Sequence, residues 1–117
     1  QYPLYLPQAK VYRQCAGLGP CITLAADMPA REETTIGLEI ERGGETVFQG
    51  ETNVDQMART FEGLIEYLGR DQEFPHGVFL MTGTGVVPES DFTSQAGDVV
   101  HITIDGIGTL TNPIVQG

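Results

Sequence analysis

Four sets of residues in this 117-residue chain have the types and spacing to do chemistry. They are Lys10, the run TGTG at 82–85, the pair Glu39 and Glu41, and the histidines His76 and His101. Lys10 is the only lysine and sits between Ala9 and Val11 in an apolar run. A lysine there either guards a sheet edge or is a buried amine that holds an anion and moves protons. The run alone leaves both readings open. TGTG first suggests a phosphate cradle. That cradle needs G-x-x-x-x-G-K-[ST], with a lysine reaching the phosphates and a helix behind it. No lysine lies near, and VVPESDF after Gly85 is not a helical pattern. The dinucleotide pattern G-x-G-x-x-G also fails, because Gly83 and Gly85 lack a third glycine and a following helix. A plain turn and the wall of a site remain. Hydroxyls and backbone N–H groups at a strand's end can bind a carboxylate or a keto oxygen.

Glu39 and Glu41 share one face of a strand and so could grip a hard cation. They lie in a hairpin beside Arg42 and Glu45, which makes a solvated face the better reading. His76 and His101 have no second ligand at metal spacing. His101 reads as the polar side of an alternating strand, and His76 as a loop residue. Ser90 and Ser94 lack a G-x-S-x-G elbow. Cys15 and Cys21, in CAGLGPC, fit neither redox nor zinc spacing. They read as reduced thiols of a cytoplasmic protein, with a local disulfide as the alternative.

Composition narrows the partners. The net charge is −10, and the six basic residues are scattered at positions 10, 13, 31, 42, 59 and 70. No basic stripe exists for nucleic acid or an anionic membrane surface. No apolar run reaches the roughly 20 residues of a membrane span. The length suits one domain, residues 1–117. The opening QYPLYLPQ has no Met and begins mid-phrase, as in a fragment or processed product.

The elements that must hold these residues are mainly strands. Residues 9–25 read as a strand, a Gly/Pro turn at 17–20 and a second apolar stretch. The clearest hairpin is predicted over 35–42 and 45–49, turning at Gly43 and Gly44. Val54, Met57, Phe61, Leu64, Ile65 and Leu68 recur at helical steps, so one amphipathic helix is predicted over 53–70. Its apolar stripe reads as core packing, with Asn53 or Thr52 as its cap. Residues 77–83 read as a short buried strand. In 98–106, Val100, Ile102 and Ile104 face one way and His101, Thr103 and Asp105 the other. Asp105 and Gly106 turn the chain into a last strand. The fold class is therefore mainly β (α+β), with one main helix.

FLMTGTGVV, followed by QAGDVVHITIDGIGTLTNPI at 95–114, resembles the C-terminal signature of the fumarylacetoacetate hydrolase superfamily. Ala96 stands where that signature has proline before Gly97. LYLPQAKVYRQCAGLGPCI at 4–22 is similar to the family's lysine segment and its Gly-Pro turn. YLPQAKVY and FPHGVFLMTGTGVVP look closest to the branch that dehydrates 2-keto-3-deoxy-arabinonate or -xylonate. The resemblance implies a mixed β-sandwich roll and the C-terminal part of a longer catalytic domain. It implies a small-molecule keto acid substrate and Mg²⁺ acting as a Lewis acid on the α-keto acid end. By it, Lys10 is the catalytic lysine, and Gly83 and Thr84 hold the substrate's carboxylate or keto group. It assigns Glu89 no role. The family's metal ligands, a Glu-x-Glu pair and an aspartate, precede the lysine segment. They are therefore expected outside this chain, in a longer polypeptide or a companion chain, and Glu39 and Glu41 are not their equivalents. The chain alone is expected to be inactive, and a homo-oligomer is expected. Two alternatives stay open: a C–C bond hydrolase, decarboxylase or isomerase acting on acylpyruvates, and a non-catalytic binding or structural fragment.

Overall fold

A computed structural model describes residues 11–117. Four strands form one antiparallel sheet: β1 Thr35–Arg42, β2 Glu45–Asn53, β3 Val99–Ile104 and β4 Gly108–Pro113. The spatial order is β2-β1-β3-β4. One helix, α1, spans Phe61–Gly69. Single 3-10 turns occur at Ala25–Asp27, Arg31–Glu33 and Val54–Gln56.

The β1–β2 hairpin turns at Gly43 and Gly44, with φ of +61° and +83°. Two consecutive positive φ values are what a type I′ turn requires, and glycine adopts them without a Cβ penalty. Ile40 pairs with Phe48 while Glu41 pairs with Thr46, so Val47 is an extra residue that bulges β2. β2 continues past the predicted 49 to Asn53, because Thr35 to Leu38 of β1 pair with residues 50–53. On its other side β1 pairs with β3, placing Ile36, Leu38 and Ile40 opposite Ile104, Ile102 and Val100. Leu110 of β4 lies opposite Ile102. These side chains share one apolar face. Glu39, Glu41, His101, Thr103, Thr109 and Thr111 take the other face, as the alternation of β3 predicted.

Two irregular segments lie against the apolar face. The first passes over β4: a Cβ on Gly17 would meet Asn112 Nδ2 at 2.7 Å, and one on Gly19 would meet Leu110 Cδ1 at 3.3 Å. The second passes over β2. There Val86 sits where a Cβ on Gly50 would be, at 2.8 Å, and Gly85 rests against Thr52.

Three predicted elements differ from those observed. Among the described residues, no strand forms in 11–25 or in 77–83. Phe79 and Met81 are 65% and 79% exposed, so the 77–83 run is not a buried strand here. Its apolar composition records a need for burial, and the described residues supply no neighbouring strand. The single helix over 53–70 is two elements. The Asn53 side chain accepts from Asp55 N–H at 2.8 Å and caps the Val54–Gln56 turn. Thr60, extended at ψ 153°, accepts from Gly63 N–H at 3.1 Å and starts α1 afresh. Two caps seven residues apart interrupt a pattern that periodicity reads as continuous. No residue of α1 is fully buried, and Ile65 is 63% exposed, so its stripe is not core within the described residues.

Ile40 and Val54 are the only buried apolar residues among the described residues. The accessible surface is 9571 Å². A self-contained folded protein of 12.7 kDa exposes roughly 6,200 Å². Much apolar surface is therefore left uncovered among the described residues, chiefly in the irregular segments and α1.

Candidate active site

The 82–85 loop is shaped by its glycines and closed by its threonine. Gly83 has φ +96°, in the region that favours glycine. The Thr84 hydroxyl donates to Val86 O at 3.1 Å and accepts from Val86 N–H at 3.2 Å. This local turn fixes the hydroxyl and leaves one lone pair, so Thr84 presents an acceptor in this state. Gly85 allows close approach to β2, where a Cβ would stand 3.1 Å from Thr52 Oγ1. Downstream, Phe92 packs against Phe48 of β2 with ring centroids 6.3 Å apart. The segment from Gly85 to Phe92 is thus held to β2 at both of its ends.

Across from it, the Arg31–Glu33 and Val54–Gln56 turns are tied together. Val54 N–H donates to Thr34 O at 2.9 Å, and Asn53 Nδ2 donates to Glu32 O at 2.9 Å. Thr34, buried, donates its hydroxyl to Ala30 O at 2.8 Å. Arg31 Nη2 donates to Val54 O and to Met57 O, both at 3.3 Å. Its guanidinium lies 5.4 Å from the Phe61 ring centroid.

Between these walls is a cavity of about 570 Å³. Thr82, Gly83, Thr84 and Gly85 form one side, and Arg31 and Arg59 lie on another. Ile36 and Ile104 of the sheet form an apolar floor, with Met57 and Phe61 beside them. A small anionic ligand with a carbon chain fits this combination of hydroxyls, cations and apolar walls.

The sequence-derived candidates separate clearly. Gly83 and Thr84 line the cavity. Lys10 lies outside the described residues. Glu39 and Glu41 point to the opposite, polar face of the sheet. Glu39 Oε1 accepts from Thr46 Oγ1 at 3.0 Å, and Glu41 Oε2 lies 3.4 Å from His101 Nε2. His101 Nδ1 is 2.8 Å from Thr111 Oγ1. His76 and Glu89 are exposed, away from the cavity lining. Cys15 and Cys21 are free and exposed. Among the described residues no three His, Cys, Asp or Glu side chains cluster as a metal site. The donor set of the described residues therefore does not fit Mg²⁺.

Sequence reasoning missed two arginines and an aspartate. Arg31 gave no signal, being one charge in a polar loop. Asp98, 1% exposed, receives two 2.8 Å hydrogen bonds from Arg42, from Nε to Oδ1 and from Nη2 to Oδ2. Gln95 N–H adds a third to Oδ2 at 2.9 Å. Arg42 also donates to Thr93 O at 3.1 Å and lies 5.6 Å from the Phe92 ring centroid. The Arg42 hydrogen bonds, then that from Gln95, hold the Asp98 carboxyl at about 2, below its usual 3.8. The bond to Asp98 raises Arg42 above its ordinary value. This pair fastens the 92–98 segment to the β1–β2 hairpin, downstream of the cavity loop. Its signal was Gly97 and Asp98 standing just before an alternating strand.

An antiparallel sheet carries a Gly/Thr loop on its apolar face, and the two border one cavity. The chain belongs to the fumarylacetoacetate (FAA) hydrolase C-terminal family, whose model matches residues 1–115. It is 44% identical over 112 residues to a probable 2-keto-3-deoxyxylonate dehydratase of Haloferax volcanii, covering 96% of this chain and 39% of that protein. It is 42% identical over 112 residues to 2-dehydro-3-deoxy-D-arabinonate dehydratase of Saccharolobus solfataricus, covering 96% of this chain and 38% of that protein. A solved structure of 2-keto-3-deoxy-D-arabinonate dehydratase, complexed with magnesium and 2,5-dioxopentanoate, matches at a TM-score of 0.92 and 40% identity. That match covers 99% of this chain and 41% of the other. The chain thus spans about 40% of the length of these relatives.

Proposed function

We propose that this chain is the C-terminal part of a Mg²⁺-dependent hydro-lyase that removes water from a 2-keto-3-deoxy sugar acid. The observation that carries the reading is 40–44% identity across nearly the whole chain to dehydratases of such acids, one of them solved with magnesium and 2,5-dioxopentanoate. The cavity is consistent with it, since hydroxyl and cationic groups face an apolar floor on one side of the sheet.

In this reading the remaining polypeptide, or a companion chain of an oligomer, brings the metal ligands. Mg²⁺ supplies Lewis-acid polarisation of the keto acid. The residues of this chain bind and orient. Thr84 offers its lone pair to a substrate hydroxyl, or turns its proton from Val86 O towards a carboxylate. Gly83 lets the backbone approach the ligand without a side chain in the way. Lys10, by the family resemblance, contacts substrate beside the metal and moves protons. The free cysteines suit a reducing, cytoplasmic setting.

The test is turnover of 2-keto-3-deoxy-D-arabinonate and -xylonate by the full-length polypeptide, with Mg²⁺ and then with chelator. Dehydration that chelation abolishes is the expected result. Cleavage of an acylpyruvate, with no dehydration of either sugar acid, would transfer the chain to the hydrolase alternative.

A further inference from the structure

We infer that Arg31 receives the carboxylate of a ligand entering the cavity and makes the site selective for anions over neutral isosteres. This role rests on the keto-acid reading of the same cavity and assigns its charge recognition to a particular side chain. Among the described residues, Arg31 spends only Nη2, in two 3.3 Å bonds to the carbonyls of Val54 and Met57. Neither carbonyl neutralises its charge. Its Nε is buried and has no hydrogen-bond partner among the described residues. A buried donor left without an acceptor is uncommon and points to a ligand or water that completes it.

No carboxylate forms an ion pair with Arg31 among the described residues. The ion pairs there join Arg42 to Asp98, Arg70 to Glu66 and His101 to Glu41. With 16 acidic and six basic residues, the chain has acids enough to pair every arginine. A half-buried guanidinium without a carboxylate partner among the described residues, lining one cavity with Ile36, Met57 and Ile104, suits an anion. Its stacking on Phe61 and its two carbonyl bonds fix the plane of the fork in advance. The fork and the 82–85 loop border one cavity, so a single ligand can meet both.

The competing role is a staple that merely holds the Arg31–Glu33 and Val54–Gln56 turns together. Binding of pyruvate and of its neutral isostere pyruvamide separates the two. Both ligands are titrated calorimetrically, with Mg²⁺ present, into the full-length polypeptide and its Arg31→Gln and Arg31→Lys variants. Thermal melting of each variant checks folding. Arg31→Gln is expected to weaken pyruvate roughly tenfold or more while pyruvamide changes little, and Arg31→Lys to fall between. Equal losses for both ligands, unchanged pyruvate binding, or no pyruvate binding to the parent protein would each overturn the role. A lowered melting temperature with unchanged charge preference would establish the staple instead. Dehydratase turnover is measured separately on the parent protein. Charge-selective, Arg31-dependent binding without turnover would sink the dehydratase reading and leave the role of Arg31 standing.

Discussion

Thr84 keeps its hydroxyl proton on Val86 O and one lone pair on Val86 N–H. A residue that lines the cavity therefore also shapes its own loop. Thr84→Val removes both functions and is expected to raise KM about tenfold in the full-length enzyme, the value of roughly one hydrogen bond. Thr84→Ser should stay near the parent, because it keeps the hydroxyl. Equal behaviour of the two variants in steady-state kinetics would reduce Thr84 to a turn residue. Gly83→Ala places a Cβ at φ +96° and should cost about 1–3 kcal/mol in denaturant unfolding. Asp98 gives a pH dependence. Its folded value, about 2, lies below the ordinary 3.8. Its contribution is therefore complete above pH 3.8 and is lost as the pH falls towards 2. Melting curves of the parent should drop across that window, and Asp98→Asn should flatten that part of the profile. An unchanged slope in the variant would remove the pair from the account. At this scale, the place of Gly83 and Thr84 on the cavity lining was legible because their motif is contiguous. Arg31, Arg42 and Asp98 were not, because their partners lie 23 to 56 residues away.

The β1–β2 and β3–β4 hairpins followed from local signals. Paired glycines and an Asp-Gly turn each stand between runs whose period is two. The helix was misread because periodicity reports a face and not a continuous ladder. Asn53 and Thr60 each satisfy a new start with their own side chains. Thr60→Ala should destabilise the full-length protein by about 1 kcal/mol, read as a lowered denaturant midpoint at constant slope. The 77–83 run was misread for a different reason. A strand needs a neighbour, and sequence shows only the apolar demand for one. The packing of the cavity loop on β2 offers a sharper element-level test. Gly50 admits Val86 at a distance that a Cβ would not tolerate, 2.8 Å from Cγ1. Gly50→Ala should push the loop outward, raising KM, and cost about 1–3 kcal/mol from overpacking. A variant with parent kinetics and stability would show that the loop does not depend on this contact.

Among the described residues, four strands form one ladder, and most of the exposed apolar side chains lie outside it. Exposed Ile22, Leu24, Phe79 and Met81 sit in irregular segments, and the accessible surface exceeds the expected roughly 6,200 Å² by about half. The general fold class was legible, since turn chemistry and alternation mark the four strands that form, beside apolar runs in 9–25 and 77–83 that form none among the described residues. What covers the apolar surface was not, because a chain spanning about 40% of its relatives shows one side of that packing. The 117-residue chain made alone should therefore self-associate, eluting from a sizing column well above 12.7 kDa. A stable monomer would mean that the exposed runs need no cover. The central claim is that these residues form the substrate-side part of a Mg²⁺-dependent sugar-acid dehydratase. Its most direct test is dehydration of 2-keto-3-deoxy-D-arabinonate, followed side by side for the full-length polypeptide and the 117-residue chain. The account predicts Mg²⁺-dependent turnover by the full-length polypeptide and none by the chain alone. It is contradicted if the full-length polypeptide, folded and supplied with Mg²⁺, leaves the sugar acid unchanged.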